Sequence, residues 1–305
     1  MNSSRRNFLR NSALAVTAAA IMPKDMFALA PKIQRVGLQL YSVRDHMKTD
    51  PAGTLKKLAD MGYVYVEHAN YVDRKFYGYT APEFKKLLAG LGLVMPSGHT
   101  VMTTRDWDAA KGDFTDKWKY TIEDAATMGQ KFVISPWMED SIRKDEAGLK
   151  KFMDQFNKCG ELCQKSGMKF GYHTHEFEFT NKIGDKNLYD YILDNTDPKL
   201  VIQQLDIGNM YNQGNMTALD YMKKYPGRIE SLHVKDEIKS ATPGEVGTGY
   251  ESTYLGTGLV PLKEILKLSK QQGITSLIIE HESYQGADPL DCVKIDLQTM
   301  KKWGY

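Results

Sequence analysis

From Ile33 onward, the sequence alternates between short runs rich in β-branched residues and longer amphipathic stretches, and this alternation restricts the fold more than any other feature. The runs that predict strands are 35–41, 63–68, 93–97, 131–135, 168–174, 200–206, 229–235 and 276–281. The stretches that predict helices include Pro51–Met61, Pro82–Leu91, Phe114–Met128, Leu149–Ser166 and Leu259–Gln272. Eight such repeats over about 270 residues, without a long linker, predict an α/β fold, a single-domain (β/α)8 barrel over residues 31–305.

Glycines mark the ends of the predicted helices. Five helix candidates are followed by a glycine just before the next strand, namely Gly62, Gly92, Gly129, Gly167 and Gly273. Glycine readily adopts the left-handed conformation that commonly ends a helix. A doubly wound open sheet is the main alternative, but it usually carries a glycine-rich phosphate-binding turn after its first strand. The segment 40–44, Leu-Tyr-Ser-Val-Arg, is not such a turn, so the barrel is favoured.

Four consecutive strand candidates end in side chains that can bind a metal or move protons. They are His173, His175 and Glu178 after the fifth strand, Asp206 after the sixth, His233 and Lys235 after the seventh, and Glu280 and Glu282 after the eighth. Active sites of (β/α)8 barrels lie at the carboxyl ends of the strands. Side chains two residues apart on an extended chain share a face, so the pairs at the fifth, seventh and eighth strands each point the same way. The pattern therefore predicts one site at this end of the barrel.

A mixed set of nitrogen and oxygen ligands suits Mn²⁺, Zn²⁺, Co²⁺ or Fe²⁺ better than Ca²⁺ or Mg²⁺. We therefore predict one divalent metal ion, with Mn²⁺ as the first choice. Lys235 is predicted to bind a substrate hydroxyl or to stabilise a developing oxyanion. The alternative for Lys235 is an exposed salt bridge to Asp236.

Five further residues are predicted to contact the substrate. Gln204 and Glu282 lie one layer from the proposed ligands, Glu67 ends the second strand, His99 follows the third, and Trp137 ends the fourth. A sugar face can stack on Trp137. The structural alternatives are a core or rim tryptophan at 137 and a solvated loop histidine at 99.

Composition excludes some classes of function. The chain has 40 basic and 38 acidic residues; four of the basic and one of the acidic ones lie in the first thirty positions, which leaves 36 against 37. This near-neutral balance argues against a nucleic-acid-binding surface. Three cysteines give no disulfide framework. Cys159 and Cys163 are four residues apart, which favours two buried positions on one helix face rather than a redox pair.

Residues 1–30 have the sections of an export signal. Arg5 and Arg6 precede Phe8-Leu9, an alanine-rich apolar run follows over 12–22, and Ala28-Leu29-Ala30 resembles a cleavage site. The paired arginines resemble a twin-arginine export motif, which predicts an exported, periplasmic protein. Pro31 disfavours cleavage after Ala30, so cleavage at another position and a retained membrane anchor are the two alternatives. The apolar run is too short for an ordinary membrane span.

Several motifs together resemble one known family over residues 33–305. They are 37–42 (GLQLYS), 62–67 (GYVYVE), 172–175 (YHTH), 205–209 (LDIGN), 232–236 (LHVKD), 255–263 (LGTGLVPLK) and 279–282 (IEHE). The chain resembles the xylose isomerase-like TIM barrels, or sugar phosphate isomerase/epimerase family. The resemblance implies one divalent metal held by groups from strands five to eight, Asp206, His233 and Glu280 among them. It also implies polyhydroxylated substrates that carry a carbonyl.

The fifth strand departs from this pattern. Many family members carry a glutamate there as first metal ligand, and the matching position holds His173. Either His173 binds the metal directly, or Glu178 reaches back to it. His175 matches a position that resembles the acid/base histidine of family members acting as lyases. A proton relay between two glutamates, one of them on the fifth strand and the other at Glu280, is therefore in doubt.

The expected chemistry is removal of a proton next to a metal-bound carbonyl. His175 suits the role of base because its unperturbed pKa lies near working pH. Return of the proton elsewhere gives an isomerase or epimerase of sugars, the first expectation. Loss of a β-leaving group gives a lyase or dehydratase of 3-keto-glycosides or inosose-like compounds, which export favours slightly. A non-catalytic carbohydrate-binding barrel is a third reading, and a homo-oligomer is left open.

Overall fold

The computed structural model describes residues 34–211, 213–240 and 249–305. Its centre is a closed barrel of eight parallel strands in which each strand pairs with its neighbours in sequence and the eighth pairs with the first. The strands are β1 (Arg35–Gln39), β2 (Tyr65–His68), β3 (Val94–His99), β4 (Phe132–Ser135), β5 (Lys169–His173), β6 (Val201–Asp206), β7 (Ile229–Val234) and β8 (Ser276–Ile279). The predicted (β/α)8 barrel is confirmed. The predicted signal segment, 1–30, lies outside the described residues.

Helices fill the connections between the strands. They are α1 (Arg44–Thr49), α2 (Pro51–Met61), α3 (Ala81–Gly90), α4 (Asp116–Met128), α5 (Asp140–Arg143), α6 (Glu146–Gln164), α7 (Phe177–Thr180), α8 (Leu188–Asn195), α9 (Ala218–Lys224), α10 (Leu262–Gln271) and α11 (Pro289–Lys302). Short 3₁₀ helices span Leu40–Val43 and Thr104–Asp106. The five glycines predicted to end helices all have positive φ, between 72° and 96°. None of the helices in the described part is long and apolar enough to cross a membrane.

Alternation along the strands separates an apolar layer from a polar one. On β1 and β2, Leu38 and Val66 are fully buried in the core beneath the helices. Their neighbours Gln39 and Glu67 point the other way, and Gln39 Nε2 donates to Glu67 Oε1 at 2.9 Å. Because Glu67 also bonds to residues of β6 and β7, this second face is the barrel interior. The upper interior of the barrel is thus polar although it is buried.

Small hairpins follow several strands and were not predicted from the sequence. After β2, three short strands at Tyr71–Val72, Lys75–Phe76 and Tyr79–Thr80 form a sheet. Two-stranded sheets pair Trp107–Asp108 with Asp113–Phe114, Lys182–Ile183 with Lys186–Asn187, and Asp236–Lys239 with Tyr250–Thr253. All four belong to connections that leave the carboxyl ends of strands, so they enlarge the rim of the barrel at that end.

The cysteines behave as apolar residues. Cys159 and Cys163 are free thiols, fully buried on α6. The indole nitrogen of Trp118 donates to Cys159 Sγ at 3.2 Å, and burial raises the pKa of this thiol well above its usual value. The prediction of two buried positions on one helix face is confirmed.

Candidate active site at the carboxyl end of the barrel

Four predicted residues converge at the ends of β5 to β8. Ligand-type atoms of His173, Asp206, His233 and Glu280 lie within 4.8 Å of one another, and all four residues are buried. His173 and Asp206 are the last residues of β5 and β6, His233 lies near the end of β7, and Glu280 directly follows β8. Parallel strands bring their carboxyl ends to one edge of a barrel, which explains why residues far apart in sequence meet here.

Glu67 fixes the orientation of His233. The Nε2 atom of His233 lies 2.7 Å from Glu67 Oε1, which leaves Nδ1 facing Glu280 Oε2 at 3.2 Å and Asp206 Oδ2 at 3.8 Å. Histidine ligands of metals commonly donate their second ring N–H to a carboxylate in this way, which sets the tautomer and the ring orientation. Ser97 and Gln39 donate to the same carboxylate at 2.5 and 2.9 Å.

Gln204 fixes the orientation of two other histidines. Its Oε1 lies 3.0 Å from His173 Nδ1 and 2.7 Å from His99 Nε2. Its Nε2 donates to Glu67 Oε2 at 2.9 Å and to Ser231 Oγ at 3.1 Å, which fixes the amide orientation. His173 therefore keeps Nε2 as its free nitrogen. Burial, followed by the neighbouring histidines, lowers the pKa of His173 well below its usual value, so the ring is neutral, as a metal ligand must be.

Asp206 carries the observation that fits a cation best. Its Oδ1 accepts the backbone N–H groups of Gly208 and Asn209, both at 2.8 Å. Its Oδ2 is buried and has no hydrogen-bond donor among the described residues, and the Asp206 carboxyl group faces the carboxyl group of Glu280 closely enough to share a proton with it. Burial raises the pKa of Asp206 although Lys235 favours the charged form. A buried carboxylate oxygen without a partner is costly, and a divalent cation among these four residues would satisfy it.

The carboxylates next to His233 favour its protonated, charged ring. Burial disfavours the charged ring, but Glu280 and Glu67 outweigh it and raise the pKa of His233 to about 10. For Glu280, burial is likewise outweighed, by His233 and Lys235, so its pKa is held below its usual range. His99 and His233 outweigh burial at Glu67, whose pKa is also lowered. Binding of a cation beside Glu280 would displace the proton from His233.

Glu178 lies outside this group. Its Oε2 accepts the backbone N–H of His175 at 2.8 Å, and its Oε1 accepts the hydroxyl of Tyr172, so the carboxyl group is fully buried away from the other ligands. Burial raises the pKa of Glu178 to about 8. Of the two fifth-strand candidates left open by the sequence, the geometry brings His173, and not Glu178, to the other three residues.

Lys235 is buried rather than exposed and does not pair with Asp236. Its Nζ donates to Asn209 Oδ1 at 3.0 Å and to the Glu282 carboxylate, and lies 3.8 Å from Glu280 Oε2. Gly208 permits this, because a Cβ at that position would lie 2.6 Å from Lys235 Cγ. Asp236 instead accepts backbone N–H groups of the loop after β7, including Gly256 at 2.8 Å and Gly258 at 2.9 Å. The salt bridge considered from the sequence is therefore wrong.

His175 sits in an aromatic frame. Its ring is parallel to Phe177, with centroids 5.7 Å apart, and meets Trp137 edge-on at 5.5 Å. Arg143 lies over both of these rings. Burial lowers the pKa of His175 to about 3, while the charge of Glu280 acts in the opposite sense. The ring is thus neutral but a weak base, and Nδ1 has no partner among the described residues.

A cavity of about 1210 Å³ opens over this end of the barrel. Of the predicted site residues, its walls contain His99, Trp137, His173, His175, Glu280 and Glu282. Glu67 and Gln204 do not line it and are fully buried, so the prediction that they contact substrate differs from the geometry. Both hold histidines instead. Lys235 does not line the cavity either and acts on it through Glu282.

Sequence reasoning missed the polar residues that support the site. Gln39, Ser97 and Ser231 bond to Glu67 or Gln204, and Asn209 bonds to Lys235. Gln39 and Asn209 stand within motifs quoted above, and Ser97 precedes Gly98-His99. The usable signal was a polar residue inside an otherwise apolar strand, since such a residue must find a partner in the barrel interior.

Comparisons with known proteins agree with this architecture. Residues 55–303 match the family model described as xylose isomerase-like TIM barrel. An inosose dehydratase of Clostridium perfringens is 33% identical over 92 residues, which cover 30% of each chain, and one of Geobacillus kaustophilus is 22% identical over 205 residues, 63% of each. The matches thus span less than two thirds of these curated relatives. A crystal structure of a sugar phosphate isomerase/epimerase from Parabacteroides distasonis superimposes with a TM-score of 0.72 at 27% identity, covering 88% of this chain and 98% of that one.

Proposed function

Because this chain belongs to the xylose isomerase-like TIM barrel family, we propose that it is a divalent-metal-dependent sugar isomerase or epimerase that removes a proton next to a carbonyl. The observation that carries the proposal is the group of His173, Asp206, His233 and Glu280, with its unpartnered Asp206 oxygen. A cation bound by these residues would polarise the carbonyl and an adjacent hydroxyl of the sugar and acidify the C–H bond between them. Mn²⁺ remains our first choice.

The protein's own residues supply the proton transfers. Neutral His175, on the cavity wall, accepts the proton from carbon, and the electron pair of the broken C–H bond moves into the carbonyl to give an enediolate. Glu280 favours the resulting charge on His175. Glu282 is the second acid/base group on the wall, and Lys235 holds it in place. Return of the proton to the neighbouring carbon, with transfer of the hydroxyl proton between the two oxygens, gives an isomer, and return to the other face of the same carbon gives an epimer.

A lyase or dehydratase is the second candidate, favoured by the inosose dehydratase relatives and by histidine in place of glutamate at position 173. The first step is the same. The enediolate then re-forms the carbonyl and expels a hydroxyl or alkoxyl group from the next carbon, and protonated His175 gives its proton to that leaving group. A carbon–carbon double bond conjugated with the carbonyl remains.

Deuterium exchange separates the candidates. Metal-loaded protein is incubated in D₂O with free ketohexoses, an inosose and 3-keto-glycosides, and the recovered sugars are analysed by NMR and mass spectrometry. An isomerase or epimerase leaves deuterium next to the carbonyl, whereas a lyase yields an unsaturated ketone and a released group. His175→Asn is expected to abolish both. No exchange and no product with any of these sugars would contradict an enzymatic function and favour a binding protein.

We propose that the protein acts after export, because paired arginines precede the apolar run near its start. Replacement of Arg5 and Arg6 by lysine is expected to move the protein from the periplasmic to the cytoplasmic fraction. An unchanged distribution would contradict the twin-arginine route. Export would also remove the protein from the main pool of phosphorylated sugars, so unphosphorylated substrates are the first to test.

A further inference from the structure

The cavity is larger than one sugar ring requires. Its volume of about 1210 Å³ exceeds the roughly 300–1,000 Å³ typical of small-molecule sites. His173, His175 and Glu280 occupy only one part of its wall. Most of the remainder is formed by the connections after β2, β3 and β4 and by the first half of α4, a region that we call the outer subsite. Residues 69–74, 100–106 and 115–121 contribute most of its lining.

Exposed apolar side chains concentrate on this cavity. Among the described residues, the three most exposed aromatic residues are Tyr41 (43%), Tyr120 (42%) and Trp137 (42%), and all three line it. Val72 and Val101, also exposed, line it as well. Scattered exposed apolar residues need no explanation, but their clustering in one concave surface indicates a ligand surface.

The wall that carries Tyr120 is rigid. The Arg74 guanidinium lies 4.3 Å above the Tyr120 ring and forms two hydrogen bonds with Asp124, at 2.8 and 3.0 Å. Tyr71 donates to the same carboxylate at 2.6 Å. Arg74 stands with Asp73 in a two-residue hairpin turn in which both have positive φ, 62° and 49°, a conformation unfavourable for residues other than glycine. The hairpin after β2 is thereby fastened to α4.

Polar groups alternate with the aromatic faces of the outer subsite. They include Asn70, Thr100, Thr103, Arg105, Thr115 and Lys117. Flat apolar faces bordered by hydrogen-bonding groups match a sugar ring, which has C–H bonds on its faces and hydroxyls around its edge. A purely apolar aglycone would leave these polar groups without partners.

We propose that the outer subsite binds a second glycosyl ring, so that the substrate is a disaccharide or longer glycoside whose reacting ring lies at His175 and the four-residue group. The assignment of the reacting ring rests on the proposed function, whereas the preference for two rings rests on the outer subsite alone. Tyr120 supplies the stacking face and Arg74 holds it. A monosaccharide leaves this surface empty.

Calorimetry with unreacted sugars tests the proposal independently of turnover. Methyl glucoside, phenyl glucoside, glucose 6-phosphate and the disaccharides cellobiose, maltose and trehalose are titrated into the metal-loaded full-length protein. At least one disaccharide is expected to bind about tenfold or more tightly than methyl glucoside, which corresponds to about one stacked ring. In Tyr120→Ala the ratio of these two affinities is expected to fall about fivefold or more, toward unity.

The matched control is Tyr65→Ala. Tyr65 also lies beneath an arginine, Arg35, at 5.3 Å, but at the amino ends of β1 and β2, away from the cavity. This variant is expected to keep the wild-type ratio. Three results would overturn the proposal. One is equal affinity for methyl glucoside and all the disaccharides, and another is an affinity ratio that does not change in Tyr120→Ala. The third is tightest binding of phenyl glucoside or of glucose 6-phosphate. If the wild-type protein shows no deuterium exchange but still prefers a disaccharide in calorimetry, the proposed function is overturned and the subsite is supported.

Discussion

Two buried histidine–carboxylate pairs meet at the end of β8, and only one belongs to the candidate active site. Glu280 faces the barrel interior, where its Oε2 lies 3.2 Å from His233 Nδ1. The next residue, His281, faces outward, where its Nδ1 lies 2.7 Å from Asp296 Oδ2 of α11. The other Asp296 oxygen accepts the backbone N–H of Leu255 at 2.9 Å. Both pairs are buried, and each joins two elements of the fold.

The difference between the pairs lies in the direction of the side chain. Consecutive residues of an extended chain point to opposite faces, so a shift of one residue just after β8 separates the polar interior from the packed layer beneath the helices. The outward pair fastens α11 and the loop after β7 to the barrel. The inward pair adds two further ligand-type residues and a cavity. Burial and charge alone therefore do not identify the site; convergence on a shared space does.

The largest expected effect concerns the inward pair. His233→Ala removes a ligand-type residue between Asp206 and Glu280, and we expect kcat/KM to fall about 10³-fold or more, since the Lewis acid supplies several kcal/mol. Steady-state kinetics on the substrate identified by deuterium exchange measure this. His281→Ala, assayed below its unfolding temperature, is the matched control and is expected to stay within about threefold of wild type. Equal losses in both variants would remove the distinction between the pairs.

The outward pair is expected to determine stability. His281→Ala leaves the buried Asp296 carboxylate without its partner, and removing one member of such a pair costs about 3–5 kcal/mol. Burial already raises the pKa of Asp296. Urea unfolding followed by circular dichroism measures the loss. A change in the free energy of unfolding below about 1 kcal/mol would show that α11 is held mainly by its apolar face. It would contradict a stabilising role for the outward pair.

A smaller effect is expected for the Glu178→Gln variant, at the carboxyl end of β5. Glu178→Gln keeps a carbonyl oxygen for the His175 N–H and an amide for Tyr172, so we expect the metal content to stay at the wild-type value. A loss of metal in this variant would restore Glu178 as a ligand.

The stability of Glu178→Gln is expected to differ from wild type in its pH dependence. Because the pKa of Glu178 is raised to about 8, the folded wild type keeps a proton that the unfolded chain releases near pH 4.5. Wild-type stability therefore falls, relative to the variant, as pH rises from about 5 to 8, by about 3 kcal/mol. Paired urea titrations across this range measure the difference. A constant difference between the two proteins would contradict burial of a protonated Glu178.

Sequence reasoning predicted the barrel because the signals were local. Each strand run is followed by a helical pattern, and each predicted terminal glycine adopts the positive φ that it was expected to have. The ends of several elements shifted by a few residues: the first strand ends at Gln39, because residues 40–43 form a 3₁₀ helix. The hairpins at the rim were not predicted because their strands are mostly two residues long, which is too short for a periodic pattern.

The site was predictable as a set of strand ends but not as a set of roles. His173, Asp206, His233 and Glu280 could be placed together from strand order alone. That Glu67 and Gln204 hold histidines depends on contacts across the barrel, between β2 or β3 and β6 or β7, and strand order gives no such distance. The direction of Glu178 is set by a tight bond to Tyr172, and Lys235 reaches Glu282 only because residue 208 lacks a side chain.

Elemental analysis tests the central claim most directly. The four proteins are purified wild type, His173→Ala, Asp206→Ala and His281→Ala. Each is exposed to equal concentrations of Mn²⁺, Zn²⁺, Co²⁺ and Fe²⁺ and then dialysed. The bound metal is measured by inductively coupled plasma mass spectrometry. We expect about one divalent ion per chain in wild type and in His281→Ala, and nearly none in His173→Ala and Asp206→Ala. Equal metal content in all four proteins, or no bound metal in wild type, would contradict it.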